Sequence, residues 1–133
     1  MVTEHQDYIY LSEDYIGNPK ETFKFSFKII ENYFAKKLDL DILDLGCAKG
    51  EWIYHLYKER QNCNFIGLDD SPILIKEAIQ AFSNFKNVKF INGSAEDYKF
   101  NQKFNVIHMA GVISYFDNIQ NCLELREFRE LRK

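Results

Sequence analysis

The sequence predicts an α/β fold with a doubly wound, mostly parallel sheet of about four strands. Three observations carry that expectation. Short apolar runs alternate with amphipathic stretches, the pattern of parallel strands joined by right-handed crossovers. The elements follow in the order helix, then β-α-β-α-β, a loop, and a last β-α. The first apolar run lies within ILDLGCAKGEW (42–52) and ends in an acid and three small residues on alternate positions. In such sheets, ligands bind at the carboxyl ends of the strands.

The chain of 133 residues reads as one domain: an N-terminal arm or lid (1–19), a core (20–116) and a terminal helix (117–133). Gly17-Asn18-Pro19 breaks the chain, and Lys20 to Lys37 then reads as a helix because Phe23, Phe27, Ile30 and Phe34 recur at three- and four-residue steps. Asp41 to Leu45 is the first strand. A helix from Glu51 to Arg60 places Trp52, Ile53, Leu56 and Tyr57 on one side. Asn64 to Leu68 is the second strand. Ser71-Pro72 starts the next helix, with serine as N-cap and proline in the first turn. That helix runs to Phe82 and buries Leu74, Ile75, Ala78 and Phe82. Val88 to Ile91 and Phe104 to Met109 are the third and fourth strands. From Asn118 the chain reads as helical, with Ile119, Cys122, Leu123 and Phe128 on one side.

Composition narrows the function. Hydrophobic content is 46% and charged content 28%, within the range of a soluble globular chain. A net charge of −3 argues against binding nucleic acid through a general basic field. Cys47, Cys63 and Cys122 form no CxxC pair, so no metal site is expected. Their odd number, with no signal-like segment in MVTEHQDYIY, points to a reducing compartment. No apolar run approaches the ~20 residues that span a bilayer. The expectation is a cytoplasmic protein without a membrane partner.

The turn after the first strand carries the chemistry. Small residues there permit unusual φ values and let a ligand approach the backbone. A tight turn with no ligand is the plain alternative. A dinucleotide loop wants small residues at the first, third and sixth positions, and the sixth from Gly46 is Glu51, which would repel a pyrophosphate. A phosphate-cradling P-loop wants Gly-Lys followed by Ser or Thr, whereas Gly50 is followed by Glu51-Trp52. What remains is acid-x-Gly-x-small-x-Gly: Asp44, Gly46, Ala48, Gly50.

At these residues the chain resembles the class I S-adenosylmethionine-dependent methyltransferases, of the small-molecule type and apparently truncated at its C-terminus. The resemblance covers residues 41–116. It implies a Rossmann-like methyltransferase fold of which four strands, the N-terminal half of the usual seven-stranded sheet, are present. It implies that Asp44, Gly46, Cys47, Ala48 and Gly50 wrap the methionine half of the cofactor, with Ala48 in place of the usual middle glycine. In FIGLDDSP, Asp69 stands 23 residues after Gly46 where the family places an acid for the ribose hydroxyls, with Asp70 beside it. Asp69 could instead cap the helix at Ser71-Pro72, which Asp70 could also do. In NGSAEDY, Gly93, Ala95 and Asp97 match the family's Gly-Asp-Ala-x-Asp and Ser94 departs from it. Adenine contacts from Ser94 and Ala95, with Glu96 beside them, are implied. Glu96 and Asp97 also read as solvated turn acids. In the fourth strand Asn105 replaces a common Asp, and Ala110 stands where the family touches the cofactor.

The implied activity is methyl transfer from S-adenosyl-L-methionine to a small-molecule acceptor such as a sugar or metabolite, leaving S-adenosyl-L-homocysteine. No catalytic residue is assigned. His108 and Tyr115 are candidates, although His108, between Ile107 and Met109, also reads as a packed core residue. His55 reads as surface. His5, Tyr8, Tyr10 and Tyr15 could form a lid. A cofactor-binding remnant, fragment or partner subunit without catalysis of its own is the alternative. An RNA methyltransferase is disfavoured because its Lys-Asp-Lys-Glu set is not found. A fourth strand left as a sheet edge is a pairing hazard, so a homodimer or partner chain is expected through that edge or through the terminal helix.

Overall fold

The computed structural model describes residues 17–109. The elements in chain order are α1 (Glu21–Tyr33), β1 (Asp41–Leu45), α2 (Glu51–Glu59), β2 (Asn64–Asp69), α3 (Pro72–Ala81), β3 (Val88–Asn92) and β4 (Val106–His108). The arm before Gly17, Ala110, Tyr115 and the helix expected from Asn118 lie outside the described residues.

The four strands form one sheet in the order β3-β2-β1-β4, and every pairing is parallel. The strand order reverses beside β1, and the doubly wound expectation holds. Asp44 of β1 stands opposite Gly67 of β2 on one side and His108 of β4 on the other. The central strand is covered on both faces, as parallel strands require. Ile42 joins a core of Ile30, Trp52, Ile53, Leu56 and Phe65 on one face. Leu43 and Leu45 join Leu68, Ala95 and Phe104 on the other. Alternation along a strand sends Asp44 to the face of Ile42, among the helices α1 and α2.

Boundaries differ from the sequence expectation most at the first helix and the fourth strand, while α2 and α3 each stop one residue short. The first helix stops at Tyr33, because Phe34 is already extended at φ −132° and ψ 130°. The reason lies in α2: the C-capping Arg60 is buried, and its guanidinium donates to Phe34 O at 2.7 Å and Ala35 O at 3.1 Å. These carbonyls are satisfied from outside, so the helix need not continue to satisfy them. The fourth strand is three residues long because Asn105 pairs by side chain as well as backbone. Its Oδ1 accepts from Asp41 N–H at 2.8 Å while its own N–H reaches Asp41 O at 2.8 Å. The second and third strands each extend by one residue, pairing Asp69 with Asn92.

Arg60 holds the α1 and α2 ends together with hydrogen bonds from a buried charge. Arg60→Leu leaves two carbonyls without donors and is expected to lower the unfolding free energy by about 2–3 kcal/mol in urea titration. A loss below about 0.5 kcal/mol would refute this account of where α1 ends.

Candidate functional site

The turn from β1 to α2 is a tight coil with left-handed backbone at alternate residues. The φ values are 76° at Gly46, 51° at Ala48 and 88° at Gly50. The three small residues are therefore a conformational requirement, and Ala48 bears a cost of ~1–2 kcal/mol that glycine would not. Gly50 is constrained twice, since an added Cβ would lie 2.8 Å from the rings of both Phe82 and Phe90. Gly67, inside β2, makes room for the turn: an added Cβ there would meet Cys47 Sγ at 2.8 Å. A glycine within a strand was a visible sequence signal of such a close approach.

Every backbone N–H from residue 46 to residue 50 is used within the protein. Gly46 and Cys47 donate to Leu68 O at 2.7 and 3.0 Å, and Gly50 donates to Cys47 O at 2.9 Å. Ala48 donates to Asp69 Oδ2 at 2.9 Å, and Lys49 donates to Glu51 Oε1 at 3.0 Å. A phosphate-binding turn aims these groups at its ligand. Here they are turned inward, two of them onto carboxylates. Glu51, which excluded phosphate on grounds of sequence, also closes the loop physically.

Three carboxylates surround this turn, and Asp44, Glu51 and Asp69 are all buried. Burial pushes the Asp69 carboxyl up to about 6, against the pull of the Ser71 and Ala48 N–H groups. Burial also raises Asp44, partly offset by His108. The Cys47 thiol is pushed well above its usual range by burial, and further by the charges of Asp44, Asp69 and Glu51. Cys47 is thus a neutral packing group rather than a thiolate nucleophile. Glu51 is paired with Lys49 Nζ at 3.8 Å and Asp44 with His108, so Asp69 is the acid of the three held by backbone N–H groups alone.

Ser71 caps α3, as the sequence indicated, and Asp69 supports that cap rather than making it. Asp69 Oδ1 accepts from Ser71 N–H at 3.0 Å, and Ser71 Oγ in turn accepts from Leu74 N–H at 3.2 Å. The backbone O of Asp69 accepts from Gly93 N–H and from Asn92 Nδ2. Asp70 beside it is half-buried. After β3, Ser94 O accepts from Asp97 and Tyr98 N–H groups, and Ser94 Oγ accepts from Glu96 N–H at 3.3 Å. Ala95 is buried, Glu96 half-buried and Asp97 exposed. The loop after β3 is therefore a compact turn beside Asp69.

His108 Nδ1 lies 2.7 Å from Asp44 Oδ1. An ionised carboxylate only accepts, so the ring proton then sits on Nδ1. The ring stacks on Trp52 with centroids 4.1 Å apart and planes 1° from parallel. Trp52 Nε1 donates to Ser26 Oγ at 2.9 Å, and Ser26 Oγ donates to Phe23 O at 2.7 Å. The sequence offered no signal for this chain of contacts, because Asp44 and His108 meet only through strand register 64 residues apart. His55, read as surface, is half-buried with its ring at the edge of Tyr54. Among the described residues no cluster of three His, Cys, Asp or Glu side chains could hold a metal ion. No helix among them is long and apolar enough to cross a membrane.

A parallel, doubly wound sheet with a closed turn and buried acids at its carboxyl edge defines a Rossmann-like domain. The chain belongs to the methyltransferase domain family, whose model matches residues 36–133. It is 33% identical over 81 residues to carboxy-S-adenosyl-L-methionine synthase of Nautilia profundicola, covering 59% of this chain and 33% of that one. It is 33% identical over 89 residues to the tRNA (guanine-N(7)-)-methyltransferase of Mycoplasma mycoides, covering 54% and 40%. Its fold matches the crystal structure of YjhP from E. coli with a TM-score of 0.67 at 24% identity, covering 90% of this chain and 49% of that one. The chain thus spans about a third to a half of the length of these proteins.

The raised Asp69 pKa fixes a sign. The native state holds this proton more tightly than the unfolded chain, so the group's contribution is largest below its ordinary 3.8 and is lost as pH rises to about 6. The expected loss between pH 4.5 and 7 is about 2 kcal/mol, with Asp44 acting in the same sense. In Asp69→Asn the Asp69 part of this slope is removed, and one of the Ala48 and Ser71 N–H groups loses its acceptor. Urea unfolding of both proteins at the two pH values measures it, and an unchanged slope would contradict this assignment.

Proposed function

We propose that the turn 46–50, Asp69 and Asp70 bind S-adenosylmethionine and that the protein transfers its methyl group to a small-molecule acceptor. The observation that carries the reading is the inward use of all five turn N–H groups beside three buried carboxylates. That arrangement fits a ligand with an ammonium and a sulfonium and does not fit a pyrophosphate. Membership of the methyltransferase family supports it.

In this reading Asp44, Gly46, Cys47, Ala48 and Gly50 hold the methionine half. The two oxygens of Asp69 each keep a lone pair beyond the one taken by a backbone N–H. Asp69 and Asp70 take the ribose hydroxyls with those acceptors. Ser94, Ala95 and Glu96 lie beside the adenine. When bound, the cofactor would supply an electrophilic methyl group with its sulfur as the neutral thioether leaving group. The protein's part is to align, and alignment lowers such barriers by several kcal/mol. Asp44 engages Nδ1 of His108, which orients the ring and leaves Nε2 as the proton-accepting nitrogen, so His108 is a candidate base as well as a positioning group.

A small acceptor is favoured over RNA because the net charge of −3 provides no general attraction for phosphates. Because three of the curated relatives are named for tRNA, an RNA acceptor is the competing outcome of the test.

Calorimetric titration with S-adenosylmethionine and S-adenosylhomocysteine tests the cofactor site. Micromolar binding is expected for the wild type and none for Asp69→Ala. With Asp69 required as a carboxylate, wild-type affinity is expected to fall about tenfold from pH 7.5 to pH 5. Binding of equal strength in Asp69→Ala would remove the ribose assignment. Labelled methyl transfer to bulk tRNA, but to no small-metabolite pool, would replace the small-molecule reading with the RNA one.

A further inference from the structure

We propose that His108 is a positioning residue for the cofactor turn, acting through Asp44 before the turn and Trp52 after it. The inference rests on the cofactor reading above. One imidazole touches both flanks of the same five-residue coil. On the β1 side it hydrogen-bonds the buried carboxylate of Asp44, two residues before Gly46. On the α2 side its face lies flat on Trp52, two residues after Gly50. A histidine present only to fill the core would need neither a carboxylate nor a parallel stack at 4.1 Å.

The contacts continue outward with defined direction. The Trp52 indole can only donate, and its donation to Ser26 leaves the Ser26 hydroxyl proton for Phe23 O. The ring of His108, the turn it brackets and the first two turns of α1 therefore share one set of directional contacts. His108 also lines, with Ser26 and Phe25, a cleft of about 870 Å³ between α1 and the end of β4. A change in the ring's position is transmitted to both flanks of the turn and to α1 together. Such a coupled set is expected to show non-additive effects on substitution.

Trp52 is the single tryptophan of the chain, so tryptophan emission reports the surroundings of this one ring, His108 among them. The test compares the wild type, His108→Phe, His108→Asn and Arg60→Leu. His108→Phe keeps a ring against Trp52 and removes the donor to Asp44. His108→Asn keeps a donor and removes the ring. Arg60→Leu destabilises the core away from the turn. Thermal melts establish the folded fraction, calorimetry gives the Kd for S-adenosylhomocysteine, and Trp52 emission is recorded with and without that ligand.

The expected result is a Kd at least about tenfold weaker in His108→Phe, about threefold weaker than wild type in His108→Asn, and wild-type affinity in folded Arg60→Leu. Ligand is expected to change Trp52 emission in the wild type and not in His108→Phe. Folded His108→Phe binding within twofold of wild type, with the same emission response, would overturn the inference while leaving the cofactor reading standing. Should His108→Phe not fold, His108→Asn decides, and affinity within twofold of wild type overturns it. A wild type that binds neither cofactor nor product overturns both readings.

Discussion

The carboxylate and carbonyl of one residue, Asp69, gather the three loops that close the carboxyl edge of the sheet. One carboxylate oxygen holds Ala48 in the turn after β1, and the other holds Ser71 at the start of α3. The carbonyl holds Gly93 and Asn92 at the end of β3. Such a tie demands acceptors pointing in several directions from a single position, which only an acidic side chain on a strand end provides. The geometry follows from the parallel register, since Asp69 is the last residue of β2 and pairs with Asn92. The same register leaves β1 free to turn sharply toward α2 under the cover of Leu68 O.

With those loops fixed, the backbone of the turn has nothing left to offer an anion. Donors that would cradle a phosphate are saturated by Leu68, Asp69, Glu51 and Cys47. What surrounds the turn instead is buried carboxylate, in a poorly solvated setting where charge selectivity is strongest. The turn therefore shares its position with the phosphate-binding turns of other doubly wound sheets but carries the opposite electrostatic sense. Glu51 contributes twice, by its charge and by occupying Lys49 N–H.

Much of this was legible in the sequence because it is local. The alternation of apolar strands and amphipathic helices gave the parallel class, and the strands and later helices end within a residue or two of expectation. The positions of Gly46, Ala48 and Gly50 announced the left-handed residues, and Ser71-Pro72 announced the cap of α3. What escaped is set by contacts distant in sequence. The length of α1 depends on Arg60, which reaches back to Phe34 and Ala35 from another helix. The shortness of β4 depends on how Asn105 spends its amide. His108 looked like a core histidine or a lone base, and its partnership with Asp44 exists only once β1 and β4 are side by side. Glu51 was legible as an exclusion but not as a structural element of the loop.

Asp44 and Asp69 are both buried acids beside the same turn, yet they are held in opposite ways. Asp69 is held by two backbone N–H groups, which are dipoles and carry no net charge, so burial prevails and its carboxyl rises to about 6. Asp44 faces an imidazole, whose charge and hydrogen bond work against burial. Burying carboxylates without full compensation costs stability in the free protein. A ligand that brings positive charge and hydroxyl donors to this edge relieves that cost, and the free energy recovered appears as affinity. The unfavourable placement of these acids in the free chain and the expected preference for a cationic, hydroxyl-bearing cofactor are thus two sides of one linkage.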